Sequence, residues 1–161
     1  MTDRGGSSDA IRRAALTLLQ QRPYTVERLT RLLLRRGLDP DGVQGVVRQL
    51  QGQGLLDDEA FARDYVELHG GQRGARRLAT ELRSRGVASD VIARALEGMD
   101  RSNEQEAAVA LLRQVRGRYR GLDRPVAQRR AVGFLARRGY PSSVVHEAVR
   151  QVLGELERDD G

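Results

Sequence analysis

LLRRGL at residues 33–38 recurs as LRSRGV at residues 82–87 and as LARRGY at residues 135–140. Each copy has a Leu four residues before a Gly, an Arg directly before that Gly, and an apolar residue directly after it. A Gly that follows an Arg-containing last turn is typical of the left-handed residue that ends a helix. The three copies therefore predict three helix–helix corners, at a repeat of about 50 residues.

Apolar residues at helical spacing flank every corner. They recur three and four residues apart in the stretch after each Gly and in the two stretches that precede it. No strand pattern competes with this periodicity. The sequence predicts an all-α fold of nine helices, organised as three tandem three-helix (helix-turn-helix-like) repeats in an elongated, bent arrangement.

Turn residues between the periodic stretches set the predicted bounds of the repeats. Repeat 1 covers residues 9–53, repeat 2 covers residues 54–100 and repeat 3 covers residues 101–154. Residues 1–8 are expected to form a disordered N-terminal tail, and residues 155–161 an acidic C-terminal tail that frays.

Composition excludes several classes of protein. Among 161 residues there is no Cys, which rules out disulfides, thiol nucleophiles and Cys-ligated zinc, and suits a reducing compartment. No apolar run reaches the length of a membrane span, and the first residues lack the apolar core of a signal peptide. We therefore expect a cytoplasmic protein with no membrane contact.

Positive charge is concentrated in the predicted middle helix of each repeat. All 28 basic residues are Arg, and the net charge is +6. The middle helices, at residues 25–36, 73–85 and 125–138, carry +3, +4 and +4, which leaves −5 for the rest of the chain. This segregation places a basic ridge on each repeat.

The arginines of the ridges share helix faces away from the apolar positions. We expect them to lack carboxylates at the i+4 position, an arrangement that an anionic partner would stabilise. A charged but merely solvated surface is the alternative interpretation. Few Asn or Gln residues and no aromatic platform lie among these arginines, so contact with nucleic acid is expected to be independent of base sequence. The candidate binding residues are Arg28, Arg31, Arg35, Arg73, Arg76, Arg77, Arg83, Arg130 and Arg137.

Two longer stretches resemble the RecX family: GLLDDEAFA at residues 54–62 and RGARRLATELRSRGV at residues 73–87. The resemblance extends from about Ala10 to Leu153 and includes Arg22-Pro23 and the FLARRGY stretch at residues 134–140. The chain departs from the family pattern at Ala75, where many members have Pro, and at Gly70-Gly71, which loosens a turn. These departures affect flexibility and leave the resemblance intact.

The resemblance implies a regulator that acts by binding and needs no cofactor. It implies a tandem of three-helix repeats that lodges in the helical groove of the RecA–DNA filament. Binding there would inhibit the recombinase's ATP hydrolysis, strand exchange and stimulated cleavage of repressors, and so modulate recombinational repair and the SOS response. Weak, sequence-independent binding to single- and double-stranded DNA is expected with it. No heptad seam is visible, so a monomer is expected.

The family motif has a structural interpretation that we favour over a chemical one. Its apolar residues anchor a helix start, and an Asp cap with an acidic first turn complements the helix dipole. Paired carboxylates there could instead bind a metal or act in acid–base chemistry, but the two histidines, His69 and His146, lie in different repeats. No phosphate loop or nucleophile motif is present, and we predict no enzymatic activity. The motif residues are Gly54, Leu55, Leu56, Asp57, Asp58, Phe61, Gly74, Leu82 and Gly86.

Two other functions compete with this interpretation. A direct DNA-binding protein, sequence-independent or of the helix-turn-helix type, would act without RecA, although the predicted third helices are dominated by apolar stripes and carry few base-reading side chains. A purely structural helical scaffold would have no partner for its basic face. Salt dependence separates the scaffold from the binding proteins, because phosphate binding weakens steeply with salt.

Overall fold

The computed structural model describes residues 4–159, with side-chain surroundings from residue 7 onward. This part of the chain contains nine α-helices, one 3-10 helix and no strand, which confirms the all-α prediction. The helices are α1 (Arg4–Gln21), α2 (Val26–Arg35), α3 (Pro40–Gly52), α4 (Asp58–His69), α5 (Ala75–Ser84), α6 (Ser89–Leu96), α7 (Arg101–Val115), the 3-10 helix η1 (Arg116–Tyr119), α8 (Arg124–Arg137) and α9 (Ser142–Asp159).

The predicted corners contain glycines in the left-handed conformation. Gly37 ends the α2 region with a φ of 75°, and Gly86 and Gly139 each have a φ of 83°. At all three positions the glycine amide donates a hydrogen bond to a carbonyl three residues earlier, at 2.9 to 3.0 Å. The repeated Leu-x-x-Arg-Gly pattern therefore forms the corners as predicted.

The two terminal helices extend beyond the predicted bounds of the repeats. α1 begins at Arg4, within the predicted N-terminal tail, of which residues 1–3 lie outside the described part. α9 continues to Asp159, through most of the predicted C-terminal tail, of which residues 160–161 lie outside it. Val152 and Leu156 extend the apolar stripe of α9 by one turn and are both buried, which favours helix over fraying here.

The chain divides into two compact units. Unit 1 comprises Met1–Asp64 and Leu82–Ile92, and unit 2 comprises Tyr65–Glu81 and Ala93–Gly161. Each unit has its own apolar cluster, drawn from residues 11–56 in unit 1 and from residues 108–156 in unit 2. Residues 57–96 contribute to neither cluster, and α4, α5 and α6 are each divided between the units.

Within unit 1, residues from α4 and from the Gly86 corner contact the first turn of α2, a contact we call the α2 joint. The carboxylate Oδ1 of Asp58 accepts a hydrogen bond from the backbone N–H of Val26 at 2.8 Å. The hydroxyl of Thr25 donates to the backbone oxygen of Arg85 at 2.5 Å. Gly86 lies against the side chain of Glu27, since a Cβ added at Gly86 would be 2.5 Å from the Cβ of Glu27. One helix start is thus held by a carboxylate and by a corner from later in the chain.

Within unit 2, the first turn of α5 is held in the same way, at what we call the α5 joint. Oε1 of Glu104, in α7, accepts from the backbone N–H of Ala75 at 2.8 Å. The backbone N–H of Gly74 donates to the backbone oxygen of Arg138 at 2.8 Å. Gly139 follows Arg138 as Gly86 follows Arg85, so the two joints use equivalent corners. Glu104 is buried, and its carboxylate satisfies a helix N-terminal donor that would otherwise be unpaired.

Candidate polyanion interface

The first predicted ridge forms one wall of a pocket on unit 1. Arg28, Arg31 and Arg35 lie three and four residues apart along α2, and all three are exposed. With Arg85 they border a pocket of about 200 Å³, which we call the α2 pocket. Its other lining residues are Glu27, Leu32 and Ser84. Arg31 forms an ion pair with Glu27, so a carboxylate already reduces the positive charge of this pocket.

The second predicted ridge separates into paired and unpaired arginines. Both oxygens of the Glu81 carboxylate are engaged, Oε2 with Arg73 at 2.9 Å and Oε1 with Arg77 at 2.9 Å. Arg77 also donates to the backbone oxygen of Arg137 at 3.2 Å. Arg76 and Arg83 are exposed, and within the described residues no carboxylate forms an ion pair with either.

The expectation that the ridge arginines lack carboxylates at the i+4 position is therefore wrong for Arg77. Glu81 lies four residues after Arg77, and this spacing brings their side chains together on the surface of α5. Burial opposes ionisation of Glu81, but its hydrogen bonds from Arg77 and Tyr65 and the charge of Arg73 outweigh burial and lower the pKa of the carboxyl. The structure indicates that Arg73 and Arg77 stabilise unit 2, which makes them less available to a partner.

The third ridge contains more arginines than were predicted from the sequence. Arg130 and Arg137 line a pocket of about 450 Å³ on unit 2 that also includes Arg118 and Arg129. The remaining lining residues are Tyr119, Gly133 and Phe134. We call this the α8 pocket. No carboxylate lines it, which distinguishes it from the α2 pocket.

Sequence reasoning missed Arg85, Arg118, Arg129 and the aromatic residues of the α8 pocket. A signal for Arg129 exists, because Arg129, Gly133 and Arg137 lie at intervals of four residues on one face of α8. A Cβ at Gly133 would lie 3.0 Å from Nη1 of Arg137, so the glycine leaves room for that guanidinium. Arg118 comes from η1, and no pattern within α8 points to it.

The family motif is partly a helix start, as the structural interpretation predicted. Oδ1 of Asp57 accepts from the backbone N–H groups of Glu59 and Ala60, at 2.9 and 3.1 Å, and caps α4. Leu56 is buried, whereas Leu55 is 51% exposed, so the expectation of two apolar anchors is wrong for Leu55. Asp58 contacts α2 instead of capping its own helix.

The remaining motif residues have different surroundings. Leu82 is fully buried, Phe61 is half-buried, and Gly54 has a φ of 70°. A Cβ at Gly74 would lie 2.6 Å from the backbone nitrogen of Tyr140, so this position has no room for a side chain. Gly74 is therefore required by a close backbone approach, which the sequence did not reveal.

No described feature adds a metal site or a membrane span. Among the described residues, no group of three or more His, Asp or Glu side chains is placed to hold a metal ion. His146 is exposed, and the His69 ring lies 4.4 Å from the ring of Tyr65. Over the same residues, no helix combines the length and the apolar character needed to cross a bilayer.

Tandem helical segments define the class of this protein as an all-α helical-repeat protein, with clusters of exposed arginines on its surface. Comparisons with known proteins agree on the family. Residues 57–96 match the family model described as the second three-helix domain of RecX, and residues 103–149 match the model of the third. A regulatory protein RecX from Halorhodospira halophila is 40% identical over 165 aligned positions, which cover 99% of this chain and 96% of the relative.

A second relative supports the same family, and a solved structure shows the same fold. Regulatory protein RecX from Thermobifida fusca is 37% identical over 144 residues, which cover 88% of this chain and 78% of the relative. The crystal structure of RecX from Lactobacillus salivarius superimposes with a TM-score of 0.84 at 17% identity, over 92% of this chain and 97% of the other. The chain belongs to the RecX family of regulatory proteins.

Proposed function

We propose that this protein is a negative regulator of the RecA recombinase. It binds the RecA–DNA filament and inhibits ATP hydrolysis, strand exchange and repressor cleavage, thereby modulating recombinational repair and the SOS response. Membership of a family of regulatory proteins supports a regulatory role. In this proposal the protein acts as a monomer in the cytoplasm, without a cofactor and without catalysis of its own.

The observation that carries the proposal is the exposure of the ridge arginines. Eight of the nine candidate arginines are exposed, all except Arg73, which is half-buried. Arg28, Arg35, Arg76, Arg83, Arg130 and Arg137 form no ion pair with a carboxylate of the described residues. Exposed guanidinium groups without carboxylate partners suit phosphate, which they bind with little dependence on base sequence.

The test uses cognate RecA assembled on single-stranded DNA. The rate of ATP hydrolysis is measured against the concentration of this protein at several salt concentrations. We expect half-inhibition to require more protein as salt rises, with a logarithmic slope that reflects the number of phosphate contacts. Absence of inhibition together with tight binding to naked DNA would favour a DNA-binding protein that acts without RecA.

Charge reversal at two positions tests the ridge itself. The variant Arg76→Glu with Arg83→Glu leaves the Glu81 ion pairs in place, whereas reversal of Arg77 would break one of them. We expect weaker inhibition and a salt slope reduced by about 2, because two phosphate contacts are lost. The matched control is Arg48→Glu with Arg63→Glu, which changes the net charge equally at two exposed positions outside the ridges. Equal loss of inhibition in both variants would contradict a role for the ridge.

A further inference from the structure

The α8 pocket concentrates positive charge on unit 2. Arg118 comes from η1, and Arg129, Arg130 and Arg137 come from α8. All four are exposed, and none forms an ion pair with a carboxylate of the described residues. Four like charges around one pocket repel each other, and an anion bound between them would reduce that repulsion.

An aromatic ring borders the same pocket. Phe134 is half-buried, partly packed against the apolar cluster of unit 2. The guanidinium of Arg138 lies over its ring, with Cζ 3.8 Å from the ring centroid. Arg138 also donates to the backbone oxygen of Phe134 at 3.5 Å. These contacts hold the ring in a defined position and cover one of its faces with Arg138, so the uncovered part of the ring gives the pocket an apolar surface beside its positive charge.

Size and composition point to one class of ligand. The α8 pocket is an open cleft of about 450 Å³, a volume within the range of small-molecule clefts. Proteins bind single-stranded nucleic acid by combining arginines for the phosphates with aromatic rings for the bases. A base inside a duplex is already stacked and paired, so it cannot lie against Phe134 without being extruded. The α2 pocket has about 200 Å³, a carboxylate and no aromatic residue, and suits phosphate alone.

We propose that the α8 pocket binds one unstacked nucleotide of a single-stranded nucleic acid. Arg118, Arg129, Arg130 and Arg137 bind the phosphates, and the base lies against Phe134. The inference rests on the nucleic-acid contact of the proposed function, and it does not require inhibition of RecA. It replaces the expectation that no aromatic platform accompanies the arginines, because Tyr119 and Phe134 both line the pocket.

The test compares oligonucleotides that differ only in their bases. Binding of the full chain to fluorescently labelled oligothymidylate, to an abasic strand of equal length and to a duplex is measured by fluorescence anisotropy. We expect oligothymidylate to bind about fivefold or more tightly than the abasic strand, because stacking of a base adds affinity beyond the phosphates. Equal affinity for the two strands would overturn the proposal and leave only electrostatic binding of the backbone.

Two variants separate the base contact from the phosphate contact. Phe134→Leu keeps an apolar side chain against the core and should abolish the preference for oligothymidylate over the abasic strand. Arg129→Ala with Arg130→Ala should weaken binding of both strands and keep the preference.

If Phe134→Leu is unstable, cross-linking of an oligonucleotide containing 5-iodouracil provides a second readout on the native chain. Cross-links located to Phe134 or Tyr119 by mass spectrometry support the proposal, and cross-links confined to other segments overturn it.

The RecA assay keeps this inference distinct from the proposed function. If the chain prefers oligothymidylate but leaves RecA unaffected, the nucleotide pocket is supported and the regulatory proposal is contradicted. If the chain inhibits RecA but binds abasic and thymidylate strands equally, the regulatory proposal is supported and the nucleotide pocket is contradicted.

Discussion

The starts of α2 and α5 are held by equivalent contacts that differ in how closely the backbones approach. At the α2 joint, side chains intervene, with the Thr25 hydroxyl bonded to Arg85 and the Glu27 side chain against Gly86. At the α5 joint, Gly74 has no side chain, and its own N–H bonds to Arg138. A Cβ at Gly139 would lie 2.6 Å from the backbone nitrogen of Arg77. The α5 joint is therefore a contact between backbones, and substitutions should affect it more strongly.

The carboxylates of the two joints occupy equivalent positions in their own helices. Asp58 and Glu104 each lie four residues before a fully buried alanine, Ala62 and Ala108. The corresponding position in α1 is Ile11, four residues before the buried Ala15, and Ile11 is itself fully buried. A carboxylate is found where an earlier helix start needs a partner, and an apolar residue where the core of unit 1 is filled. The position four residues before the buried alanine is therefore a capping carboxylate in α4 and α7 and a packed apolar residue in α1.

The largest expected effect is that of Gly74→Ala at the α5 joint. The added Cβ would meet the backbone of Gly139 and Tyr140, which cannot move as a flexible side chain can. We expect unit 2 to lose about 3 kcal/mol of unfolding free energy, measured by urea denaturation. The control is Gly71→Ala, where an added Cβ meets nothing within 4 Å, and its effect should stay within about 0.5 kcal/mol. Similar losses in the two variants would show that the backbones are not in close contact.

Thr25→Val should have a smaller effect, at the α2 joint. Valine has nearly the same shape but cannot donate to Arg85 or cap the N–H of Arg28, which lies 3.3 Å from the Thr25 hydroxyl. We expect a loss of about 1 to 2 kcal/mol in the unfolding free energy of unit 1. Thr25→Ser retains the hydroxyl and should restore most of the stability. A Thr25→Val loss that equals the Gly74→Ala loss would remove the proposed difference between the joints.

Lowering the pH should change the stability contributions of Asp58 in unit 1 and Glu81 in unit 2 with opposite sign. This is the smallest of the expected effects on stability. Burial raises the pKa of Asp58 in unit 1, with the charges of Asp57 and Glu27 adding to the rise, against the hydrogen bond from Val26. The folded state therefore holds this proton more tightly than the unfolded state does. Its stabilising contribution is present below the ordinary pKa of 3.8 and is lost as pH rises through the raised value.

Glu81 in unit 2 has a lowered pKa, so its contribution is present above the ordinary value of 4.5 and is lost as pH falls through the lowered one. The unfolding free energy of the native chain, Asp58→Asn and Glu81→Gln is measured from about pH 3 to pH 7. We expect Glu81→Gln to reduce the acid-induced loss of stability. Asp58→Asn retains the acceptor for Val26 and should increase that loss. Changes of the same sign in both variants would contradict this assignment.

Helices and corners were predictable because they depend on residues close together in the chain. The predicted middle helices at residues 25–36, 73–85 and 125–138 agree with α2, α5 and α8 to within two residues at each end. Apolar spacing and glycine corners determine these bounds locally. The 3-10 helix η1 escaped prediction, since its RGRY sequence contains no periodic apolar pattern.

Site residues were predictable only in part. Arg28, Arg35, Arg76, Arg83, Arg130 and Arg137 were placed correctly on exposed helix faces, because helical periodicity determines which face a residue occupies. Arg73 and Arg77 form ion pairs with Glu81, which makes their charges less available to a partner. Helical spacing placed these arginines on a face of the helix but did not show that a carboxylate would pair with both of them.

The sequence by itself determined the fold class, the helix order, the three glycine corners and the segregation of positive charge. Each of these follows from backbone preference, periodicity or composition, which act over a few residues. Tertiary structure decided that Asp58 and Glu104 would serve another helix, that Gly74 would meet the Gly139 corner, and that Arg118 and Phe134 would join the α8 arginines. The joint contacts connect residues 29 to 66 positions apart, as for Ala75 with Glu104 and for Gly74 with Tyr140. Such contacts depend on how helices pack, and no local preference encodes packing.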